Sequence, residues 1–223
     1  MSDKETGGDV PAGHVRHEQT SPGSAQRREE ILAAAFQVLE EHGYRGASTL
    51  AIARRARTSK ETLYNWFGSK HGLFTALVSS CAESMDAELA RAAGRPDLPP
   101  YEVLQGLATA LLHAATGGRA VTVTQVAISE SCSSPEFGRI LFDETRCKLW
   151  QRFAGHLERW QDAGLVAVDD TDAASETFFG LVVGDLLLRR LLGIEQPTTP
   201  DEIERRAQRA STQFLTLFAP ASR

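Results

Sequence analysis

The sequence has few of the features that mark secreted or disulfide-stabilised proteins. Its 223 residues include only three cysteines, Cys81, Cys132 and Cys147, and their scattered spacing gives neither a disulfide framework nor a metal site. The first 24 residues are polar and rich in Gly, Pro and Ser, which is unlike a secretion signal. These absences predict a protein of the reducing cytoplasm.

Long apolar runs and catalytic motifs are also missing. The longest apolar stretch, around Phe178 to Leu192, is interrupted by Asp185, Arg189 and Arg190, so we expect no membrane span. There is no nucleophile elbow, HExxH motif or phosphate loop, and the six histidines are isolated or lie in the polar tail. We therefore expect no catalytic residues, metal or cofactor. An enzyme is the disfavoured alternative, and substrate turnover by the purified protein would support it.

Helical spacing of apolar residues runs along nearly the whole chain after the tail. We predict an all-α fold with about nine helices, separated by glycine and proline breaks. The segment AVTVTQVAIS, residues 120–129, alternates like a strand, but no other segment offers a pairing partner, so we predict a helix there. The expected organisation is a disordered tail (1–24), a three-helix domain (25–71) and a larger helical bundle (72–219).

Local start and stop signals divide the second of these regions into three short helices. Gly43 ends the first helix, and Ser48 or Thr49 caps the second. Thr58 and Glu61 form a capping-box pattern at the start of the third, in which each side chain covers a free backbone amide. Two short helices joined by a tight turn predict a helix-turn-helix.

Positive charge is concentrated in this region, although the chain has a formal net charge of −5. Residues 45–70 contain a single acid, Glu61, against six basic residues: Arg45, Arg54, Arg55, Arg57, Lys60 and Lys70. A local basic patch can bind phosphate whatever the total charge of the chain, so the patch favours a nucleic-acid partner. A merely solvated basic face is the alternative interpretation.

Residues on the outer side of the third helix have the chemistry needed to contact a duplex. Lys60 can donate to guanine O6 and N7 or to phosphate, Asn65 can pair with adenine, and Glu61 can accept from a cytosine amino group. Glu61 has the competing role of capping its own helix. Three residues near helix starts are better suited to hold phosphates: Thr49, Tyr64 and Lys70.

The stretch STLAIARRARTSKETLYNWFGSKHGLF, residues 48–74, resembles the DNA-binding domain of TetR-type transcriptional regulators. The resemblance covers about residues 26–74 and includes Ile52-Ala53, Ser59, Leu63-Tyr64, Phe67, Ser69-Lys70 and Leu73-Phe74 in order and spacing. It implies DNA contacts from Thr49, Ser59, Lys60, Thr62, Tyr64, Asn65 and Lys70. The family often has glycine and then a small aliphatic residue in the turn, where this chain has Arg57 and Thr58. We therefore expect a turn made without a left-handed glycine, with Arg57 adding charge beside the phosphates.

The C-terminal part, with GLVVGDLLLRRLLG at residues 180–193 and a capped last helix, resembles the AefR-like branch of that family. The resemblance implies a homodimer that acts on a pseudo-palindromic operator, and a pocket whose unidentified small-molecule effector releases a repressor. The apolar last two helices also predict a dimer interface, with candidates Leu181, Gly184, Leu188, Phe214 and Leu217. Candidate pocket residues, for which plain core packing is the alternative, are His113, Gln125, Ser129, Trp150, Phe153, Phe178 and Phe179.

A different hypothesis replaces the effector by thiol chemistry. Cys147 lies between Arg146 and Lys148, and positive neighbours lower a thiol pKa and make it reactive. Buried packing cysteines are the competing interpretation. Loss of operator binding in peroxide that disappears in Cys147→Ala would support the thiol switch.

Overall fold

The computed structural model describes residues 22–95, 97–194 and 198–220, and these residues form helices without any strand, which confirms the all-α prediction. A five-residue π-helical turn, Asp143–Cys147, joins α7 to α8. The α-helices are α1 Pro22–Gly46, α2 Thr49–Arg55, α3 Lys60–Phe67, α4 Lys70–Ala93, α5 Pro100–Thr116, α6 Gly118–Ser131, α7 Glu136–Phe142, α8 Lys148–Asp162, α9 Thr171–Val183, α10 Leu186–Leu191 and α11 Pro200–Leu217.

Two of the nine predicted helices are each split in two, so the described residues contain eleven α-helices. The long helix predicted to end near Gly164 is interrupted by the π-helical turn. The helix predicted over 173–192 breaks at Gly184, whose φ of 52° and ψ of −130° are readily accessible only to glycine. The segment 120–129 lies inside α6, as predicted.

The predicted disordered tail lies outside the described residues up to residue 21. Its last three residues, 22–24, form the first turn of α1, so that helix begins earlier than expected. Gly43 has a φ of 62° and marks a kink in α1 rather than its end. Among the described residues, no helix combines the length and apolar character needed to cross a membrane.

The apolar side chains form two separate cores. The head core contains buried residues of α1, α2, α3 and the first half of α4, together with four residues that come from α6 and α7: Val123, Val126, Ala127 and Phe137. The expected boundary at residue 71 therefore falls inside one core, because Leu73, Phe74, Leu77 and Val78 of α4 pack there. The head carrying α3 is fixed to α6 and α7 by direct packing.

The body core is built from the second half of α4 with α5, α8, α9, α10 and α11. At its centre the ring of Phe178 lies 5.2 Å from Phe153 and 5.3 Å from Phe214, measured between centroids. Phe153 and Phe178 are 2% exposed and Phe214 is fully buried. These positions correct three predictions: Phe153 and Phe178 are buried in the body core, and Phe214 is buried within its own chain and so inaccessible to a second subunit.

Candidate nucleic-acid interface and cavity

The start of α3 is fixed by Ser59. The Ser59 hydroxyl accepts a hydrogen bond from the Thr62 backbone N–H at 2.9 Å and lies 2.8 Å from the Thr62 hydroxyl. This corrects the capping box predicted from Thr58 and Glu61, since the cap lies one residue later and the Glu61 side chain has no hydrogen bond among the described residues. A serine cap of this kind typically stabilises a helix by about 1 kcal/mol.

The turn between α2 and α3 contains no glycine, as expected, but it does contain a residue in the left-handed conformation. Arg57 has a φ of 51°, and two bonds close the end of α2: Arg57 N–H to the Arg54 carbonyl and Thr58 N–H to the Ala53 carbonyl. This is the Schellman arrangement, which normally has glycine at the position of Arg57. The Arg27 guanidinium of α1 donates to the carbonyl oxygens of Ala56 and Arg57, at 2.9 and 3.0 Å, and stabilises the turn.

Arg57→Gly is expected to raise the free energy of unfolding by about 0.5–1 kcal/mol, because glycine adopts this backbone conformation without strain. A matched variant, Arg54→Gly in the helical part of α2, should lower it by about 1 kcal/mol. Urea denaturation of both variants measures the difference. Equal destabilisation by the two substitutions would contradict the left-handed turn.

The outer side of α3 is open to solvent while its Leu63 side is buried in the head core. Lys60, Glu61 and Asn65 are exposed, and Tyr64 is 42% exposed. The Lys60 ammonium lies 5.5 Å from the centre of the Tyr64 ring, so these two side chains share one side of the helix. The three predicted base-reading residues are thus all exposed on α3, and Tyr64, predicted to hold a phosphate, lies beside Lys60.

Two more of the predicted DNA-contacting residues, Thr49 and Lys70, lie at the starts of the helices on either side of α3 in the chain. Thr49, at the start of α2, lines a small crevice with Tyr64 and Ser69. Lys70 is half-buried: its ammonium donates to the Tyr44 carbonyl at 2.6 Å and lies 4.1 Å from the Tyr44 ring centre, and burial lowers its pKa. Lys70 therefore ties the start of α4 to the end of α1, a role that the sequence did not indicate.

An aromatic cluster, which we call the junction cluster, connects the start of α4 to α7. It consists of Tyr44, His71, Phe74 and Phe137, with Phe137 centred 4.6 Å from Tyr44, 5.0 Å from His71 and 5.1 Å from Phe74. Burial, together with Glu130 and Glu136, raises the pKa of Tyr44 to about 12. Phe137 is 3% exposed and is the α7 residue that holds this cluster together.

An apolar cavity of about 270 Å³ lies at the seam between the two cores, and we call it the seam cavity. Met85 and Leu111 belong to the body core, whereas Val123 belongs to the head core. Its lining residues are Cys81, Met85, Leu111, Ala114, Ala115, Ala120, Val123, Thr124, Gly138, Leu141, Phe142, Thr145, Arg146, Phe179 and Leu187. Pockets between packed units commonly hold small ligands, and one here would contact both cores at once.

Comparison with known proteins gives the family. A profile of the TetR regulators' N-terminal domain matches residues 31–77, and one described as the C-terminal domain of AefR-like transcriptional repressors matches residues 102–220. The second match alone spans more than half of the chain. The chain belongs to the TetR family.

Individual relatives agree with this assignment. The HTH-type transcriptional regulator YvkB of Bacillus subtilis, itself uncharacterised, is 24% identical over 172 residues, or 77% of this chain and 87% of YvkB. A TetR transcriptional regulator from Agrobacterium tumefaciens is 28% identical with a TM-score of 0.68, covering 90% of this chain and 96% of its own. The Flavonoid-responsive Regulator FrrA is also 28% identical, with a TM-score of 0.64 and coverage of 89% and 100%.

As a TetR-family protein, the chain is a helix-turn-helix transcriptional regulator, and regulators of this family bind operator DNA and dimerise.

Of the seven predicted pocket residues, only Phe179 lines the seam cavity. His113, Gln125 and Ser129 are exposed on the surface, and the Gln125 amide donates to the Leu191 carbonyl. Trp150 packs its ring 6.1 Å from Phe142 and does not line the cavity.

Cys81 and Cys147 are poorly suited to a thiol switch in this TetR-family chain. Burial raises the pKa of Cys81 to about 11. The pKa of Cys147 is also raised, by desolvation and by Asp143, whose carboxylate lies 3.8 Å from the thiol. The thiolate is the reactive form, so a raised pKa makes both thiols less reactive. The thiol hypothesis needed the basic neighbours of Cys147 to lower its pKa, but burial and the Asp143 carboxylate raise it instead.

Proposed function

We propose that the chain is a dimeric repressor that binds an inverted-repeat operator through α3 and leaves it when a small molecule enters the seam cavity. The observation that carries the proposal is the surface of α3. It is a short, capped helix whose inner residue Leu63 is buried while Lys60, Tyr64 and Asn65 face solvent. Helices exposed in this way enter the major groove in helix-turn-helix proteins.

The contacts proposed for this surface divide into base reading and phosphate binding. Lys60 and Asn65 reach base edges, with guanine and adenine as their preferred partners. Thr49, Arg57, Tyr64 and the hydroxyl groups of Ser59 and Thr62 bind phosphates and set the register. Glu61 is free of a capping role and is available to accept from a cytosine amino group.

The Lys70 ammonium keeps two further N–H donors beyond its bond to the Tyr44 carbonyl. Lys70 is therefore proposed to hold a phosphate and to brace α1 against α4 at the same time. Such contacts do not read sequence, so they add the same affinity to every duplex.

A second copy of the chain is proposed to cover the outer side of α9 and α10. Gly180 and Gly184 are exposed there, and a Cβ at Gly180 would have no atom of this chain within 4 Å. Leu181 is half-buried and Leu188 is 57% exposed. Small and apolar residues on one open side allow close packing against an identical side, and the pairing would place two heads about 34 Å, or a multiple, apart.

Leu217 is 62% exposed at the end of α11 and remains a candidate for the same interface. Phe214 is excluded from this interface because it is fully buried within its own chain.

Leu188→Glu is expected to weaken dimerisation by about 100-fold or more, because a dimer interface would bury an unpaired charge. The isolated subunit should fold normally, since Leu188 is largely exposed. Sedimentation velocity over a concentration series measures the change, with Leu165→Glu as the control because Leu165 is 50% exposed on a different surface. A Leu188→Glu protein that stays dimeric would rule out this interface.

The proposed route from cavity to DNA runs through α7. Gly138, Leu141 and Phe142 line the seam cavity, while Phe137 packs in the junction cluster against the start of α4. The start of α4 is in turn close to the end of α3, since a Cβ at Gly72 would lie 2.0 Å from the Phe67 carbonyl oxygen. A ligand that displaces α7 would therefore shift α3, to the extent that it prefers one arrangement over the other.

The FrrA name, which describes a response to flavonoids, supports control of this kind by a small molecule in a relative with the same fold.

The salt dependence of operator binding tests the DNA-binding part of the proposal. Affinity should fall by about 1,000-fold or more between 50 and 200 mM salt if six or more phosphates are contacted. Binding that is insensitive to salt would refute it.

A further inference from the structure

The seam cavity contains one charged side chain, Arg146. It comes from the π-helical turn Asp143–Cys147, an insertion in the helical pattern that often occurs at functional sites. The Arg146 guanidinium lies 4.0 Å from the centre of the Phe179 ring, which lines the same cavity. Arg146 is half-buried, and this burial lowers its pKa.

This guanidinium has no carboxylate partner within 4 Å among the described residues. The acids nearest in sequence are engaged elsewhere: Asp143 accepts from the Cys147 thiol, and Glu144 accepts from Ser79 and Lys148. Glu176 acts on Arg146 only at longer range. A partly desolvated cation without an anion is unfavourable, so the cavity is electrostatically suited to an anionic ligand.

The shape of the Arg146 guanidinium favours one class of anionic ligand. The centre of the Phe179 ring lies 4.0 Å from the guanidinium carbon, and the N–H donors at the edge of the guanidinium form no hydrogen bond with another described residue, so they are available to a ligand. A planar carboxylate matches that edge with two parallel hydrogen bonds. The Thr124 hydroxyl also lines the cavity and forms no hydrogen bond with another described residue, so it can donate to the same ligand.

The size and lining of the cavity determine the rest of the ligand. A cavity of about 150 Å³ accommodates benzene, so about 270 Å³ has room for two fused rings or a ring with a short chain. Apart from Arg146 and a few hydroxyl or thiol groups, the lining is apolar, with Phe142, Phe179 and Leu187 among its larger members. A sugar or a nucleotide would lose hydrogen bonds with water here that this lining cannot replace.

We propose that the effector is a compact, mainly apolar monocarboxylic acid whose carboxylate pairs with Arg146. The inference rests on the proposed function in one respect, namely that the seam cavity is the effector site. It specifies the chemical class of the ligand, and it makes Arg146 the residue that distinguishes an acid from a neutral molecule of the same shape.

Calorimetric titration of the full chain with a panel of acids and their amides tests this proposal. The panel consists of 2-naphthoic acid, 4-phenylbutyric acid and cyclohexylacetic acid, each with its primary amide. At least one acid should bind, and should bind at least 10-fold more tightly than its amide. Arg146→Gln should lower the affinity for that acid at least 10-fold and leave the affinity for the amide unchanged. Arg146→Lys, which keeps the positive charge, should bind the acid more tightly than Arg146→Gln does.

Arg139→Gln is the matched control, because Arg139 is an exposed arginine of α7 outside the cavity lining. Its affinity for the acid should equal that of the wild-type protein. Arg146→Gln removes a half-buried charge and should not lower the melting temperature, so a folding defect is distinguishable from a binding defect. The proposal is overturned if no acid in the panel binds, if the amides bind as well as the acids, or if Arg146→Gln binds the acid normally.

Titration of the free protein keeps this test separate from the proposed function. A chain that binds the acids through Arg146 but binds no operator would refute the regulator proposal and leave the ligand class standing. A chain that binds its operator but prefers no acid over its amide would refute the ligand class alone.

Discussion

Replacing Lys60 and Tyr64 together by alanine is expected to weaken operator binding roughly 100-fold, since each lost contact to a duplex costs about 1–3 kcal/mol. Both side chains are exposed and lie on the same side of α3, with the Lys60 ammonium 5.5 Å from the Tyr64 ring centre. Neither contributes to the head core. The loss should therefore appear in fluorescence-anisotropy titrations while the melting temperature stays within a few degrees of wild type.

The matched control replaces a basic residue and a tyrosine on the body. Tyr101 of α5 is 36% exposed, and it borders one shallow groove with the exposed Arg205 of α11. The Tyr101→Ala, Arg205→Ala double variant should bind the operator as the wild-type protein does. Equal affinities for all three proteins would show that α3 is not the recognition helix.

Phe137→Ala is expected to lower the free energy of unfolding by about 3–5 kcal/mol, the usual cost of truncating a buried phenylalanine. Phe137 is 3% exposed and contacts three aromatic residues of the head, although it belongs to α7. Its truncation leaves a void where α7 meets the start of α4. Chemical denaturation followed by circular dichroism measures the change.

Phe142→Ala provides the comparison, because Phe142 lies on the same short helix and is 44% exposed. It should cost less than about 1.5 kcal/mol, since nearly half of the Phe142 side chain is already exposed to solvent and the residue lies outside the head core. If the two variants were equally stable, the head would not be anchored to α7 as described, and the proposed route from the cavity to α3 would lose its central residue.

The helix-turn-helix was predictable because local chemistry specifies it. A stop at Gly68 and the spacing of Leu63 and Phe67 act within a few residues, and the structure places α3 at Lys60–Phe67 accordingly, although its cap is Ser59 rather than Thr58. The detailed turn was not predictable in the same way. The left-handed conformation of Arg57 depends on Arg27, thirty residues away, which donates to the last carbonyls of the turn.

The interior of the larger domain was harder to predict. Helical spacing identifies buried faces but does not tell which core they enter, so the contribution of α6 and α7 to the head core had no signal in the sequence. Large aromatic residues were natural candidates for a pocket, yet Phe153 and Phe178 fill the body core. The seam cavity arises from the imperfect meeting of two cores, a property of tertiary packing rather than of any one helix.

Arg146 is a cavity residue that the sequence analysis did not identify. In the sequence it is one arginine in a helical stretch, noted only as a neighbour of Cys147. Its location in the cavity depends on the π-helical turn, which changes the direction of side chains after Asp143. The sequence offered one signal for this location, namely a single charged residue within an otherwise apolar helix face.

Selection of binding sites from a pool of random duplexes tests the central claim, sequence-specific binding through α3, most directly. The wild-type chain should enrich an inverted repeat whose half-sites are centred about one helical turn, or a multiple of it, apart. The Lys60→Ala, Tyr64→Ala protein, treated in parallel, should fail to enrich the same repeat. Enrichment of an identical repeat by both proteins, or of none by the wild-type chain, would contradict the account.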